Sequence, residues 1–262
     1  MKIFQNNLLP SSRQVEKRLS LYRWLSEFRY CEAEIAGKLL GVGLRQSQIF
    51  LKQLVDDGLI DRRKISLSLT KKSYVYYFTK NGHQQWLEIE SQSMPFMNQK
   101  RALDSSLVRH NIYAQHAVLH LLGLRSHIPL EDFDIFGVSY LGKKFKGGRC
   151  PDAYLSYKKE GGEEVKLVLE YEHVPKSAKR IQWILMQHLK QILDDSYQIV
   201  YFYFPNQSVQ KMYERHFKKK EWPVVEKVNY HYKQSKQPPL EAHTFGDLSE
   251  RFYFKTLDMS FT

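Results

Sequence analysis

Between Val165 and Glu172 the chain reads VKLVLEYE, an apolar run that ends in two carboxylates. A continuous stretch such as Leu167, Val168 and Leu169 is the pattern of a strand covered on both faces. Side chains alternate along a strand, so Glu170 and Glu172 share one face while Leu169 and Tyr171 take the other. Carboxylates beside such a run are costly to bury unless they are paired or bound to a metal. Asp152, directly after Pro151, opens the preceding strand-like stretch. If that stretch pairs on the same face, three anionic groups converge at one end of a sheet, and alone they would leave at least one carboxyl protonated. A hard divalent cation, Mg²⁺ or Mn²⁺, removes the conflict, because it prefers oxygen ligands. It also lowers the pKa of a bound water and stabilises charge developing on a phosphate oxygen. Asp152, Glu170 and Glu172 are therefore the predicted metal ligands, and Lys176 and Lys179, a short helical step further, are placed to offset phosphate charge. The plainer reading stands beside this one: a strand-start cap for Asp152, and a solvated strand face for the two glutamates.

Composition narrows the partners. The chain has 262 residues, with 40 basic against 28 acidic side chains, a formal charge of +12 and a pI near 9.5. That balance points to a polyanion, nucleic acid foremost. Hydrophobic residues at 42% exclude a wholly disordered basic tail. At about 100–200 residues per domain the length allows one large domain or two modest ones. No apolar run approaches the roughly 18–20 residues of a membrane span. The stretch MKIFQNNLLPSSRQ does not read as a secretory signal, and Cys31 and Cys150 are too few for a disulfide scaffold or a cysteine-built zinc site. A cytoplasmic protein is expected.

A polar segment around Ser91, Ser93, Met94, Pro95 and Asn98 divides the chain into 1–95 and 96–262. In the first part, apolar spacing predicts helices over Arg13–Phe28, Glu32–Leu40 and Leu44–Asp57, then a hairpin through Ile65 and Tyr74–Phe78. The stretches FLKQLVDDGLIDRR and VYYFTKNG, following that helix order, resemble the recognition helix, wing and closing turn of a winged helix-turn-helix. The resemblance implies DNA binding, with the third helix in the major groove and the wing along the backbone. Arg45, Gln46, Gln48 and Lys52 fall opposite Leu51 and Leu54, and Arg and Gln can read base edges bidentately. Arg62, Arg63, Lys64, Lys71 and Lys72 cluster around the hairpin, suited to phosphate contacts. Ordinary solvated faces, or a protein-docking module, are the alternative.

The second part reads as a helix (Asp104–Leu122), strands over Phe133–Leu141, Asp152–Tyr157 and Val165–Glu172, and a helix with Pro175 in its first turn carrying Ile181–Ile192. A buried strand (Gln198–Phe204), a helix (Gln207–Lys219) and a weaker strand near Val228–Tyr232 follow. CPDAYL and LVLEYEHVPKSAKR on that backbone resemble the PD-(D/E)XK nuclease superfamily, with Glu172 where that family normally has lysine. Together with the leading winged helix, the chain resembles the MobC-type plasmid mobilisation relaxases and the related replication–relaxation proteins. That resemblance implies an α/β protein, a winged helix followed by a restriction-endonuclease-like domain with a mixed sheet. It implies metal-dependent nicking of plasmid DNA at a transfer origin, with accessory mobilisation and coupling proteins as partners. The catalytic set would be Asp152, Glu170, Glu172 and either Lys176 or Lys179 as the displaced lysine. Lys143, Lys144, Lys146 and Arg149 lie in a glycine-containing loop suited to gripping a phosphate backbone; for His110 a structural or phosphate-contacting role stands beside the one the resemblance implies, an approach to the site from the leading helix. His116 and His120 are four apart, without a third ligand at zinc spacing. Tyr140, Tyr154 and Tyr171 are possible covalent nucleophiles. The alternative is a non-catalytic DNA-binding regulator of plasmid replication or transcription on a nuclease-like scaffold.

Overall fold

A computed structural model describes residues 10–66, 72–90, 107–125, 128, 132–137, 141, 145, 149–244 and 246–257. These form a mixed α/β structure with seven α-helices, whose largest sheet has five strands of mixed direction. They fall into two compact units. The first lies within Met1–Glu131 and Phe136–Tyr140, the second within Asp132–Ile135 and Leu141–Thr262.

The first unit runs α1 (Pro10–Phe28), β1 (Tyr30–Glu32), α2 (Ala33–Leu39), α3 (Leu44–Asp56), β2 (Ile60–Ser66), β3 (Lys72–Phe78), α4 (Lys80–Glu90) and α5 (Leu107–Leu124). Leu21, Leu25 and Phe28 of α1 bury with Ile35, Leu39, Leu51 and Leu54 of the next two helices. α3 stops at Gly58, whose φ of 71° is one that a side chain resists. There the amides of Gly58 and Leu59 return to the carbonyls of Val55 and Leu54. β3 is the central strand of three, antiparallel to both β1 and β2. β1 carries no alternation a three-residue strand could display, and its pairing with β3 is purely tertiary.

Two expectations need correction here. The stretch TKNG is not a closing turn but the start of α4. Thr79 Oγ1 accepts the Gly82 N–H at 3.1 Å, capping the helix. A Cβ on Gly82 would sit 1.8 Å from the Leu59 carbonyl oxygen, so this glycine is there for close packing. The helix predicted to open the second part, α5, instead belongs to the first unit. Its Gln115 accepts from Trp24 Nε1 at 2.6 Å and donates to the Tyr30 carbonyl at 2.9 Å, while Asn111 donates to the Tyr30 hydroxyl at 3.0 Å. The chain passes between units between residues 131 and 141, not at residue 95, which lies outside the described residues.

The second unit comprises β4 (Phe133–Phe136), β5 (Ala153–Lys158), β6 (Glu164–Tyr171), α6 (Ala178–Leu193), β7 (Ile199–Phe204), α7 (Gln207–Phe217), β8 (Val225–Val228), β9 (His231–Gln234) and β10 (Phe252–Thr256). The large sheet has the order β10-β7-β6-β5-β4. β5 and β6 form a hairpin; β6, β7 and β10 run parallel, joined by crossovers that contain α6 and α7. β7 lies between two parallel neighbours, and Val200 to Phe204 are all buried. Pro175 precedes α6 rather than entering its first turn: the cap is Ser177, whose side chain accepts the Arg180 N–H. The strand expected near Val228–Tyr232 is a hairpin with its turn at that place, and β10 lies in a stretch whose pattern predicts no element.

The first unit holds a half-buried acid whose charge state changes on folding. Glu27 of α1 accepts the Gly137 N–H at 3.1 Å. Burial pushes its carboxyl up from 4.5 to about 7, against the partial opposition of that bond. The folded chain thus holds a proton there that the unfolded chain releases, so stability falls as pH rises from about 4.5 to 7. Glu27→Gln should flatten that part of the profile, read as urea midpoints across the window; an unchanged slope would show that Glu27 is not its source.

Candidate functional site

β5 and β6 pair with Ala153 opposite Leu169, so one step further the register sets Asp152 opposite Glu170. Asp152 donates its backbone N–H to the Leu169 carbonyl at 3.0 Å, and its Oδ2 accepts the Tyr171 N–H at 2.7 Å. Glu172 lies one residue past β6 and continues the ladder by donating its N–H to the Tyr203 carbonyl. Glu170 and Glu172 are both only 1% exposed. Residues from two separate stretches of sequence therefore meet at the C-terminal end of β6.

Side chains of the protein neutralise them. Arg149 forks onto Glu170, Nε to Oε1 at 2.7 Å and Nη2 to Oε2 at 2.5 Å, and Nη2 also reaches Glu172 Oε1 at 3.0 Å. Lys176 Nζ lies 3.2 Å from Glu172 Oε2. On the other side, His188 Nε2 is 3.1 Å from Glu170 Oε1, and its Nδ1 is 2.6 Å from the Tyr197 hydroxyl. That hydroxyl donates to Gln191 Oε1, and Gln191 Nε2 donates to the Arg149 carbonyl at 3.1 Å. The circuit closes on the residue where it began, so Arg149 is held by backbone and guanidinium together.

The charges follow from this geometry. Burial opposes ionisation of Glu170, but Arg149 and His188 overcome it and hold the carboxyl at about 2. For Glu172 burial wins, and its carboxyl stands above the usual range despite Arg149 and Lys176, with Glu170 adding to the rise. Burial disfavours the Arg149 charge, yet Glu170 and Glu172 more than compensate and move its pKa up. His188 is pushed down by burial, with Glu170 pulling the other way.

This donor set does not fit a divalent cation as it stands. Mg²⁺ and Mn²⁺ are held through carboxylate oxygens. Both oxygens of Glu170 face Arg149, those of Glu172 face Arg149 and Lys176, and Asp152 Oδ2 holds a backbone amide. Among the described residues, the three groups with ligand atoms within 4.8 Å of one another are Glu32, Glu34 and His116, in the first unit. Sequence spacing could not show this set, because the acids come from β1 and α2 and the imidazole from α5. Its members already have partners: Glu32 is 2.7 Å from His116 Nε2 and accepts from Ser73 Oγ, and Glu34 pairs with Lys38.

The remaining predicted residues distribute as follows. Lys179 is exposed in the first turn of α6. Arg149, expected on a phosphate, has its guanidinium on the two glutamates instead. His110 lies on α5 and so belongs to the first unit, whereas the three carboxylates belong to the second. Tyr154 and Tyr171 are buried in the sheet. Lys71, Tyr140, Lys143, Lys144 and Lys146 lie outside the described residues. In the first unit Arg45, Gln46, Gln48 and Lys52 are exposed on α3, opposite the buried Leu51 and Leu54, and Lys52 pairs with Asp56 at 2.5 Å. Arg62, Arg63 and Lys64 are exposed along β2 and Lys72 at the start of β3, with the Arg62 guanidinium 4.8 Å over the Tyr74 ring. No helix among the described residues is long and apolar enough to cross a membrane. No family model matches the chain, and no curated protein matches its sequence.

Sequence reasoning missed His188, Tyr197 and Gln191. A signal was present: His188 sits among Ile184, Leu185 and Ile192 on the inward side of α6, where a polar residue needs a partner. Removing the guanidinium should be severe. Arg149→Ala leaves Glu170 and Glu172 buried without their shared cation and should cost about 3–5 kcal/mol in urea unfolding. Adding Glu170→Gln should recover part of the loss; a double variant no better than additive would detach the two residues.

Proposed function

We propose that this protein binds duplex DNA through α3 and the β2–β3 hairpin, with its second unit serving as a nuclease-like scaffold whose carboxylates the chain neutralises itself. The observation that carries the reading is the exposed set on the first unit: Arg45, Gln46, Gln48 and Lys52 on one helix face, and Arg62, Arg63, Lys64 and Lys72 on the adjoining hairpin. Helix, helix, helix and hairpin in this order is the frame of a winged helix-turn-helix, in which α3 enters the major groove. The first group has the donors and acceptors to read base edges, and the second supplies sequence-independent phosphate contacts. A formal charge of +12 adds to the attraction. On this reading the protein is a DNA-binding regulator of plasmid replication or transcription.

A second reading is favoured by one observation, the gathering of Asp152, Glu170, Glu172 and Lys176 at the end of β6. It is the strand-specific nickase of a MobC-type relaxase, acting at a transfer origin with Mg²⁺ or Mn²⁺ and with mobilisation and coupling proteins. It requires Arg149 to leave the glutamates.

Two measurements test these readings. If Arg62, Arg63, Lys64 and Lys72 contact phosphates, replacing any one by alanine should lower the slope of log affinity against log salt by about one unit. An unchanged slope removes that residue from the interface, and unchanged slopes for all four refute the DNA-binding surface. Supercoiled plasmid carrying its own origin should stay supercoiled with and without Mn²⁺ at protein concentrations that saturate duplex binding. Open circles that need Mn²⁺ and disappear in Asp152→Ala and Glu172→Ala would establish the nickase instead.

A further inference from the structure

The β8–β9 hairpin turns through two residues, Asn229 and Tyr230, both in the left-handed region with φ of 47° and 67°. A two-residue turn with both centres left-handed favours Asn followed by Gly. Asn229 suits its place; a tyrosine at the second place meets the Cβ crowding that glycine avoids. Burial recovers nothing, since Tyr230 is 88% exposed. A bulky ring held outward on a backbone that resists it indicates contact with something beyond the chain.

Its surroundings indicate what. Lys227 Nζ lies 5.5 Å from the Tyr230 ring and 5.6 Å from the ring of Trp183, on α6. The Trp183 and Tyr232 rings are 5.4 Å apart, and the Arg180 guanidinium stands 5.7 Å over Tyr232. Rings and cations thus alternate across one face of α6 and its hairpin. Lys179 is exposed one helical turn before Trp183, and Glu226 is the one acid in the two strands. A protein partner would be met by contiguous apolar surface, whereas here each ring has a cation for a neighbour. Stacking rings with interleaved cations suit unpaired bases on a phosphate backbone; in a duplex those base faces are already stacked.

We infer that the second unit binds single-stranded DNA on the platform formed by Arg180, Trp183, Lys227, Tyr230 and Tyr232. This is independent of duplex binding by α3, and each can fail alone.

The test uses the full chain and a dT oligonucleotide of about 12 nucleotides. Of the four tryptophans, Trp24, Trp86 and Trp222 are at most 5% exposed and Trp183 is half-buried, so stacking should quench Trp183. Tyr230→Gly should raise the melting temperature by relieving the turn while weakening dT binding about tenfold. Tyr230→Phe should keep the affinity, since the ring does the stacking. Duplex affinity should be unchanged in both variants. Undiminished dT affinity in a folded Tyr230→Gly, or equal quenching by polyglutamate, would overturn the platform and leave a general polyanion surface. Duplex binding lost with dT binding intact would instead overturn the proposed function alone.

Discussion

The second unit depends on one guanidinium. Two glutamates at the C-terminal end of an apolar strand would repel each other and resist ionisation; the fork of Arg149 onto Glu170 resolves that conflict for Glu170, and its further bond to Glu172 only eases it there. Such a pair is weak evidence of net stability, because desolvating three charged groups offsets much of what their attraction gains. What it constrains is geometry. Arg149 can take this place only if the residues before β5, the end of β6 and the inner face of α6 all arrive in register.

The same fork changes what the carboxylates mean. Three acids at a sheet end invite a metal ion, and the alternation that brings Glu170 and Glu172 to one face is plain from VKLVLEYE. What stands between them is not plain. Arg149 lies in a lysine- and glycine-containing loop that looks exposed, and nothing in its neighbours tells a buried ion pair from a phosphate contact. His188 was the better clue, a polar residue on an apolar helix face, though a clue to the need for a partner and not to which one.

Elsewhere the legible parts are those whose pattern is local. β7 declares itself as an unbroken run, α3 by its spacing and by Gly58, and α6 by its apolar stripe. The illegible parts are those fixed by distant partners. β1 is three residues long and exists because β3 lies beside it. α5 reads equally well as the last helix of the first unit or the first helix of the second, and only Gln115 reaching Trp24 and Tyr30 settles which. Gly82, apparently a turn residue, is a helix residue under close contact from Leu59.

β10 lies some way along the chain from the strand it covers. Phe252–Thr256 pairs with Val200–Phe204, and the Phe202 and Phe254 rings stack 5.5 Å apart. This places an order on synthesis. At ordinary translation rates, roughly several seconds separate the emergence of β7 from that of its covering strand. During that interval β7, the most aromatic of the described strands, presents an open, hydrogen-bonding edge, so a nascent chain has most to gain from a chaperone at that moment.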